Sequence, residues 1–140
     1  MAYTLQLEIV TPEAKIFSAD VDMVTLTGVA GEMGILPGHQ SLMTQLVAGE
    51  ITVSQSGQNI FLAVGDGFVQ ITAHHVSVLT DMAIKADDID EARAEEARQK
   101  AEGRLAQKLG DEEAATVNAA LMHATTQINV KRRHQNNLKK

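Results

Sequence analysis

Val21-Asp22-Met23-Val24-Thr25-Leu26-Thr27 decides the fold class, because apolar and polar side chains alternate along it for the length of one strand before the chain reaches Gly28. A strand turns successive side chains to opposite faces, so this segment has one buried face and one wet face. Glu50-Ile51-Thr52-Val53-Ser54 repeats the pattern. Working outward from these two, short β-branched segments recur at residues 3–10, 15–17, 21–27, 41–47, 50–55, 59–64, 67–72 and 76–80. Turn chemistry separates them: Thr11-Pro12, the run from Gly28 to Gly38, Ala48-Gly49, Ser56-Gly57-Gln58-Asn59 and Gly65-Asp66-Gly67. Eight short strands so closely spaced predict an antiparallel β-sandwich or flattened barrel. No strand-helix-strand unit accompanies them, which argues against a parallel nucleotide-binding sheet.

Separated from the segment 21–27 by three residues stands Gly31-Glu32-Met33-Gly34-Ile35-Leu36-Pro37-Gly38-His39, with three glycines, a proline and a terminal histidine. Glycine opens backbone angles closed to other residues and proline fixes its own, so the run reads as a shaped loop that lets another surface approach closely. A phosphate cradle would need Gly-x-Gly-x-x-Gly, or Gly-Lys-Ser/Thr opening a helix. Neither is present, and Gln40-Ser41-Leu42-Met43-Thr44-Gln45-Leu46-Val47 continues as strand toward Gly49. The loop is therefore expected to join two sheet segments and to touch a protein.

At Asp87 the language changes. Ala, Glu, Lys, Arg, Gln and Leu dominate, and neither proline nor a β-branched residue occurs between Asp90 and Asp111. Two antiparallel helices are expected, residues 88–109 and 111 to about 133, with Asp87 or Asp88 as the first cap and Lys108-Leu109-Gly110-Asp111 as a stop and a new start. This divides the chain into a sandwich part, 1–86, and a helical hairpin with a basic tail, 87–140. The expected apolar stripes are mainly alanine: Ala94, Ala97, Ala101 and Leu105 on the first helix, and Ala114, Val117, Leu121, Ala124 and Ile128 on the second. A buried methyl contributes only about 0.8 kcal/mol against about 1.5 to 3 kcal/mol for a buried leucine. Such a hairpin packs closely but is held weakly, so it is expected to leave the sandwich without unfolding it.

Composition narrows the function classes. Of 140 residues, 3% are aromatic, too few for aromatic-lined ligand pockets or base-stacking platforms. Cysteine is absent, which removes disulfides, thiol catalysis and thiolate metal sites and suits a reducing compartment. The start Met1-Ala2-Tyr3-Thr4-Leu5 has neither the basic region nor the apolar run of an export signal, and no stretch reaches the roughly 18 to 20 apolar residues of a membrane span. A soluble protein without direct membrane insertion is expected. The net charge of −6 argues against nucleic acid, and it is unevenly placed: eight acids against two lysines before Asp87, then ten acids balanced by ten bases. The last bases gather at Lys131-Arg132-Arg133 and Lys139-Lys140. Such a tail suits an acidic partner surface.

Catalytic constellations are scarce. The five histidines, His39, His74, His75, His123 and His134, show no metal-ligand spacing, and His74 and His75 would face opposite sides of a strand. No serine sits in a nucleophile elbow, and no base or nucleophile stands near His39 to make an enzyme of it. One constellation remains: Ile89-Asp90-Glu91-Ala92-Arg93-Ala94 at a helix start, where the helix terminus and Arg93 favour a phosphate while Asp87, Asp88, Asp90 and Glu91 oppose it.

The loop 31–39, the order sandwich then hairpin, and Ile89-Asp90-x-x-Arg93-Ala94 together resemble the epsilon subunit of bacterial F-type ATP synthases, the counterpart of mitochondrial delta. The likeness runs from Leu5 to about Val130, and the start and loop look more bacterial than mitochondrial. It implies a non-catalytic rotor component of the central stalk, on the cytoplasmic face of the inner membrane, with the gamma subunit and the c-subunit ring as partners. By position, Gly31, Glu32, Met33 and Gly34 become ring-contact candidates and His39 a gamma-contact candidate. The resemblance also implies a hairpin that swings out along gamma and blocks ATP hydrolysis, so that Lys131, Arg132 and Arg133 form an inhibitory tail against the catalytic alpha/beta head. Ile89, Asp90, Arg93 and Ala94 become nucleotide-site candidates. Members that bind ATP well carry further basic residues where this chain has His123 and Gln127, and arginine at Lys100. Only weak ATP binding is therefore expected, and no other cofactor.

Overall fold

The computed structural model describes residues 4–138, with side chains from Thr4 to His134; Tyr3, Lys139 and Lys140 of the sequence reading lie outside that range. Ten strands come first: β1 Leu5–Val10, β2 Lys15–Val21, β3 Met23–Gly28, β4 Gly31–Ile35, β5 Leu42–Leu46, β6 Gly49–Gln55, β7 Gln58–Val64, β8 Gly67–Ile71, β9 His75–Thr80 and β10 Ala83–Lys85. A 3-10 turn, Ala86–Asp88, leads to α1 Glu91–Leu105 and α2 Asp111–Leu138. The strands pair in the order β10-β7-β6-β3-β5-β8-β9-β1-β2, with β4 paired to β3 beside that path. Every pairing is antiparallel except β1 with β9. The Gln55 side chain donates to the Asp20 carbonyl at 3.0 Å and brings β2 back to β6, so the sheet nearly closes. The expected sandwich followed by a helical hairpin is the fold observed.

Alternation fills the interior. Leu5, Leu7 and Ile9 of β1, Ile51 and Val53 of β6, Val69 and Ile71 of β8, and Val76 and Val78 of β9 are all at most 1% exposed and form one cluster. A second, smaller cluster of Ala63, Ala86, Ile89 and Val130, flanked by Phe61 and Ile84, lies where α2 covers β7. Covering its second face explains why Leu62, Ala63 and Val64 are buried in succession, against the usual period of two.

Several boundaries differ from the sequence reading. Residues 21–27 are not one strand: Val21 ends β2 and Met23 begins β3. Asp22 makes the corner, donating its N–H to Ser54 O at 2.8 Å and accepting Ser56 N–H on its carboxylate at 2.9 Å. The odd spacing of buried Val21 and Val24 is the sequence trace of that break. The cap of α1 is Asp90, which accepts the Arg93 N–H at 3.2 Å, because Asp87 and Asp88 are taken up in the 3-10 turn. The first helix stops at Leu105, not 109, soon after Gly103 weakens it, and the chain uses Ala106 to Gly110 to reverse. On α1, Ala94 and Ala101 are buried and Leu105 half-buried, but Ala97 is exposed; Glu95 and Arg98 turn inward in its place, joined at 2.5 Å. On α2, Val117, Ala124 and Ile128 are buried as expected, and the helix runs on to Leu138.

Candidate functional site

The glycine-rich run 31–39 is half strand. Gly28 pairs with Gly31, Thr27 with Glu32, Leu26 with Met33, Thr25 with Gly34 and Val24 with Ile35, which makes β3 and β4 a hairpin with Val29 and Ala30 at its tip. Glycine density disguised a strand as a loop. Gly31 does need its freedom, since its φ is +121° at the hairpin turn. β4 carries the chain about 13 Å at roughly 3.3 Å per residue, so the Glu32 end and the His39 end are separate places. Gly31, Glu32 and Gly34 are exposed, whereas Met33 leans on the core. Beside Glu32 the tip presents Val29, 62% exposed, and Val47, whose N–H is bonded to Thr27 O at 2.9 Å.

At the other end, Gly38 has φ +85° and donates its N–H to Ala73 O at 2.7 Å, and the His39 N–H reaches Leu36 O at 3.1 Å. Nδ1 of the His39 ring lies 2.7 Å from Gln40 O, a carbonyl that can only accept, so Nδ1 carries a proton and donates there. Next to it begins a surface the sequence reading missed. Gln45 pairs with Phe68 and Phe68 with Leu79, and Met43 lies on the same face two residues from Gln45. Met43, Phe68 and Leu79 are 65%, 56% and 55% exposed. Their signal was an apolar residue on what should be the wet side of a strand, which a single alternation pattern cannot distinguish from a register error.

A groove of about 390 Å³ runs between the start of α1 and the middle of α2, lined by Asp88, Asp90, Arg93, Ala94, His123 and Gln127 among others. The structure thus brings Asp90, Arg93 and Ala94 to the α2 positions that sequence singled out. It leaves Ile89 elsewhere, 4% exposed in the cluster beneath α2. Arg93 and Lys100 are exposed, and His123 turns toward the sandwich, where its Nε2 lies 3.1 Å from the Asp81 carboxylate. Gly65 makes room for that pair, since a Cβ there would lie 1.9 Å from Asp81 Oδ1 and 3.2 Å from His123 Nε2.

The basic turn is already engaged. Lys131 Nζ donates to Ala86 O at 3.0 Å, Arg132 Nε to Glu91 at 2.5 Å, and Arg133 Nη1 to Glu50 at 2.5 Å. The Glu91 hydrogen bond, opposed in part by desolvation, holds the Arg132 guanidinium above its ordinary range, and so do the charges of Glu91 and Glu95. His134 Nε2 meets the other oxygen of Glu50, and its ring stacks on Phe61 at 3.7 Å. Among the described residues no group of three or more metal-ligating side chains gathers, and no helix is long and apolar enough to cross a membrane.

A nearly closed β-sandwich with a helical hairpin laid on its outer face defines a two-part architecture. Family models match both parts: the beta-sandwich domain of the ATP synthase delta/epsilon chain over residues 4–86, and its long alpha-helix domain over residues 87–132. The ATP synthase epsilon chain of Herpetosiphon aurantiacus is 39% identical over 132 residues, 94% of this chain and 97% of that one. That of Janthinobacterium sp. (strain Marseille) is 39% identical over 130 residues, covering 91% and 93%. In fold, the chain is similar to one from the Euglena gracilis mitochondrial ATP synthase OSCP/F1/c-ring structure, with TM-score 0.70 and 22% identity over 89% of this chain and 79% of that one. A chain from the Tetrahymena thermophila mitochondrial ATP synthase central stalk/c-ring structure gives TM-score 0.60 and 12% identity, covering 93% and 95%. This chain belongs to the ATP synthase delta/epsilon family.

Proposed function

We propose that the chain is a rotor subunit of the central stalk of an F-type ATP synthase, without chemistry of its own, which couples the catalytic head to the c ring and restrains ATP hydrolysis through its C-terminal helices. The observation that carries this reading is the family match across both parts of the chain, joined to a hairpin that rests on the sandwich through one small apolar cluster, Val130 of α2 against Ala63 and Ala86, apart from the main core. The tip with Glu32, Gly31 and Gly34, supported by Met33 and flanked by Val29 and Val47, is the ring-facing end. The strip of Met43, Phe68 and Leu79, reached from His39, is the gamma-facing side, since exposed apolar side chains grouped on one sheet face suit a protein partner. When the hairpin extends, Lys131, Arg132 and Arg133 meet an acidic surface of the alpha/beta head. On this reading the subunit sits peripherally, at the cytoplasmic face of a bacterial inner membrane.

The test deletes everything after Ala86 and measures ATP hydrolysis and proton pumping by the reassembled complex. Retained pumping with faster hydrolysis is expected; lost coupling would overturn the division of labour between the two parts. A second reading has its own observation, the groove that joins Asp90, Arg93 and Ala94 to His123 and Gln127. ATP there would have Arg93 as its one nearby arginine, facing Asp88 and Asp90, so its binding is weak and subordinate to the coupling role.

A further inference from the structure

Within the proposed inhibitory turn every basic side chain already has a partner, and the partners divide into two sets. The sandwich and its 3-10 turn hold Lys131 through Ala86 O and hold Arg133 and His134 through Glu50. The first helix holds Arg132 through Glu91 at 2.5 Å and Glu95 at 3.6 Å. Glu50 is the best placed of these acids: its side chain is 12% exposed, and each oxygen serves a different residue of α2. Phe61 backs this contact by stacking on His134.

We infer that Glu50, with Glu91 and Glu95, is a built-in competitor for the acidic surface that the turn engages, so the docked hairpin masks its own inhibitory cations in two tiers. A hairpin that lifts off as a unit frees Lys131, Arg133 and His134 but keeps Arg132 paired to Glu91. Arg132 is released only when α1 and α2 separate. The inference rests on the reading that the turn meets an acidic protein surface, and it adds what that surface must displace.

The full chain is titrated into a fluorescein-labelled oligoglutamate peptide at low salt, with anisotropy as the readout. Glu50→Gln is expected to bind about two- to five-fold more tightly, the range that loss of partly exposed ion pairs gives. A further gain is expected on adding Glu91→Gln and Glu95→Gln. Because Glu50→Gln also makes the whole chain less negative, Phe61→Leu serves as the charge-neutral variant: it loosens the same contact and is expected to raise affinity as well. Both gains are expected to vanish when Lys131, Arg132 and Arg133 are all glutamine. Equal affinity of the parent, Glu50→Gln and Phe61→Leu, or gains that survive in the triple-glutamine chain, would overturn the masking. The functional reading fails on a different result, unchanged hydrolysis by the complex that lacks residues after Ala86.

Discussion

Val130→Ala isolates the apolar part of the contact that keeps the hairpin on the sandwich. Val130 is 4% exposed and packs with Ala63, Ala86 and Ile89, apart from the main core. Truncation removes two buried carbons, each contributing about 0.8 kcal/mol, so docking weakens by about 1.6 kcal/mol. At 1.4 kcal/mol per tenfold, the ratio of undocked to docked hairpin rises about 14-fold. Alanine is also the better helix former, but that gain acts on α2 whether docked or free and leaves the ratio alone. The chain has no cysteine, so spin labels attach only at cysteines introduced for Gln58 on β7 and Asn129 on α2, both exposed. Pulsed electron resonance then reads the share of long distances. If that share is unchanged while the melting transition of the whole chain falls, hairpin and sandwich form one cooperative unit and the reasoning fails.

Further outcomes follow from close contacts and charge. Gly67→Ala should prevent stable folding, because its Cβ would lie 1.9 Å from Leu79 O and 2.8 Å from Thr80 Cα, both backbone atoms; Gly49→Ala, with nothing within 4 Å, should melt within about 1 kcal/mol of the parent in urea. Gly65→Ala meets the end of the Asp81 side chain instead, so it should loosen the His123 contact and raise the long-distance share while the amide exchange of β1, β8 and β9 stays protected. Salt near 1 M should weaken docking in the same spin-label assay, since Arg133 and Glu50 lie at the surface end of the contact and the screening length falls to about 3 Å. ATP should shift the amide signals of Asp90, Arg93 and Ala94 only weakly; saturation in the micromolar range would show that Arg93 and its neighbours suffice.

Strands were legible where one face is wet and the other buried, as in Leu5, Leu7 and Ile9, because burial and period then carry the same message. β4 was not legible, since Gly31 and Gly34 are strand residues here and glycine ordinarily signals a turn. β10 is three residues long, too short for any period. In the hairpin, composition gave two helices, but α1 turns Glu95 and Arg98 inward where the alanine spacing favoured Ala97. At the nucleotide-site candidates, the residues named the helix start and the resemblance named His123 and Gln127; the structure joins them across one groove, but places Ile89 outside it. The partners of the basic turn were beyond reach: Glu50 lies 83 residues before Arg133 and 84 before His134, and only the tertiary fold joins them.

The parallel pairing of β1 with β9 has a consequence for synthesis. Gln6 to Val10 find their partners in His75 to Leu79, so a strand made at the outset waits for nearly seventy more residues before one of its edges is covered. Until then β1 and β2 form only a ribbon, and two-stranded ribbons are marginal in water. The sandwich is therefore expected to close late as the chain emerges, after its local hairpins, and the helices that follow reach a surface completed only shortly before them. The same pairing makes the first strand an interior one, flanked by β9 and β2. Shortening the chain from its front thus opens the sheet between β9 and β2, whereas shortening it from the back, after Ala86, leaves every strand pair in place.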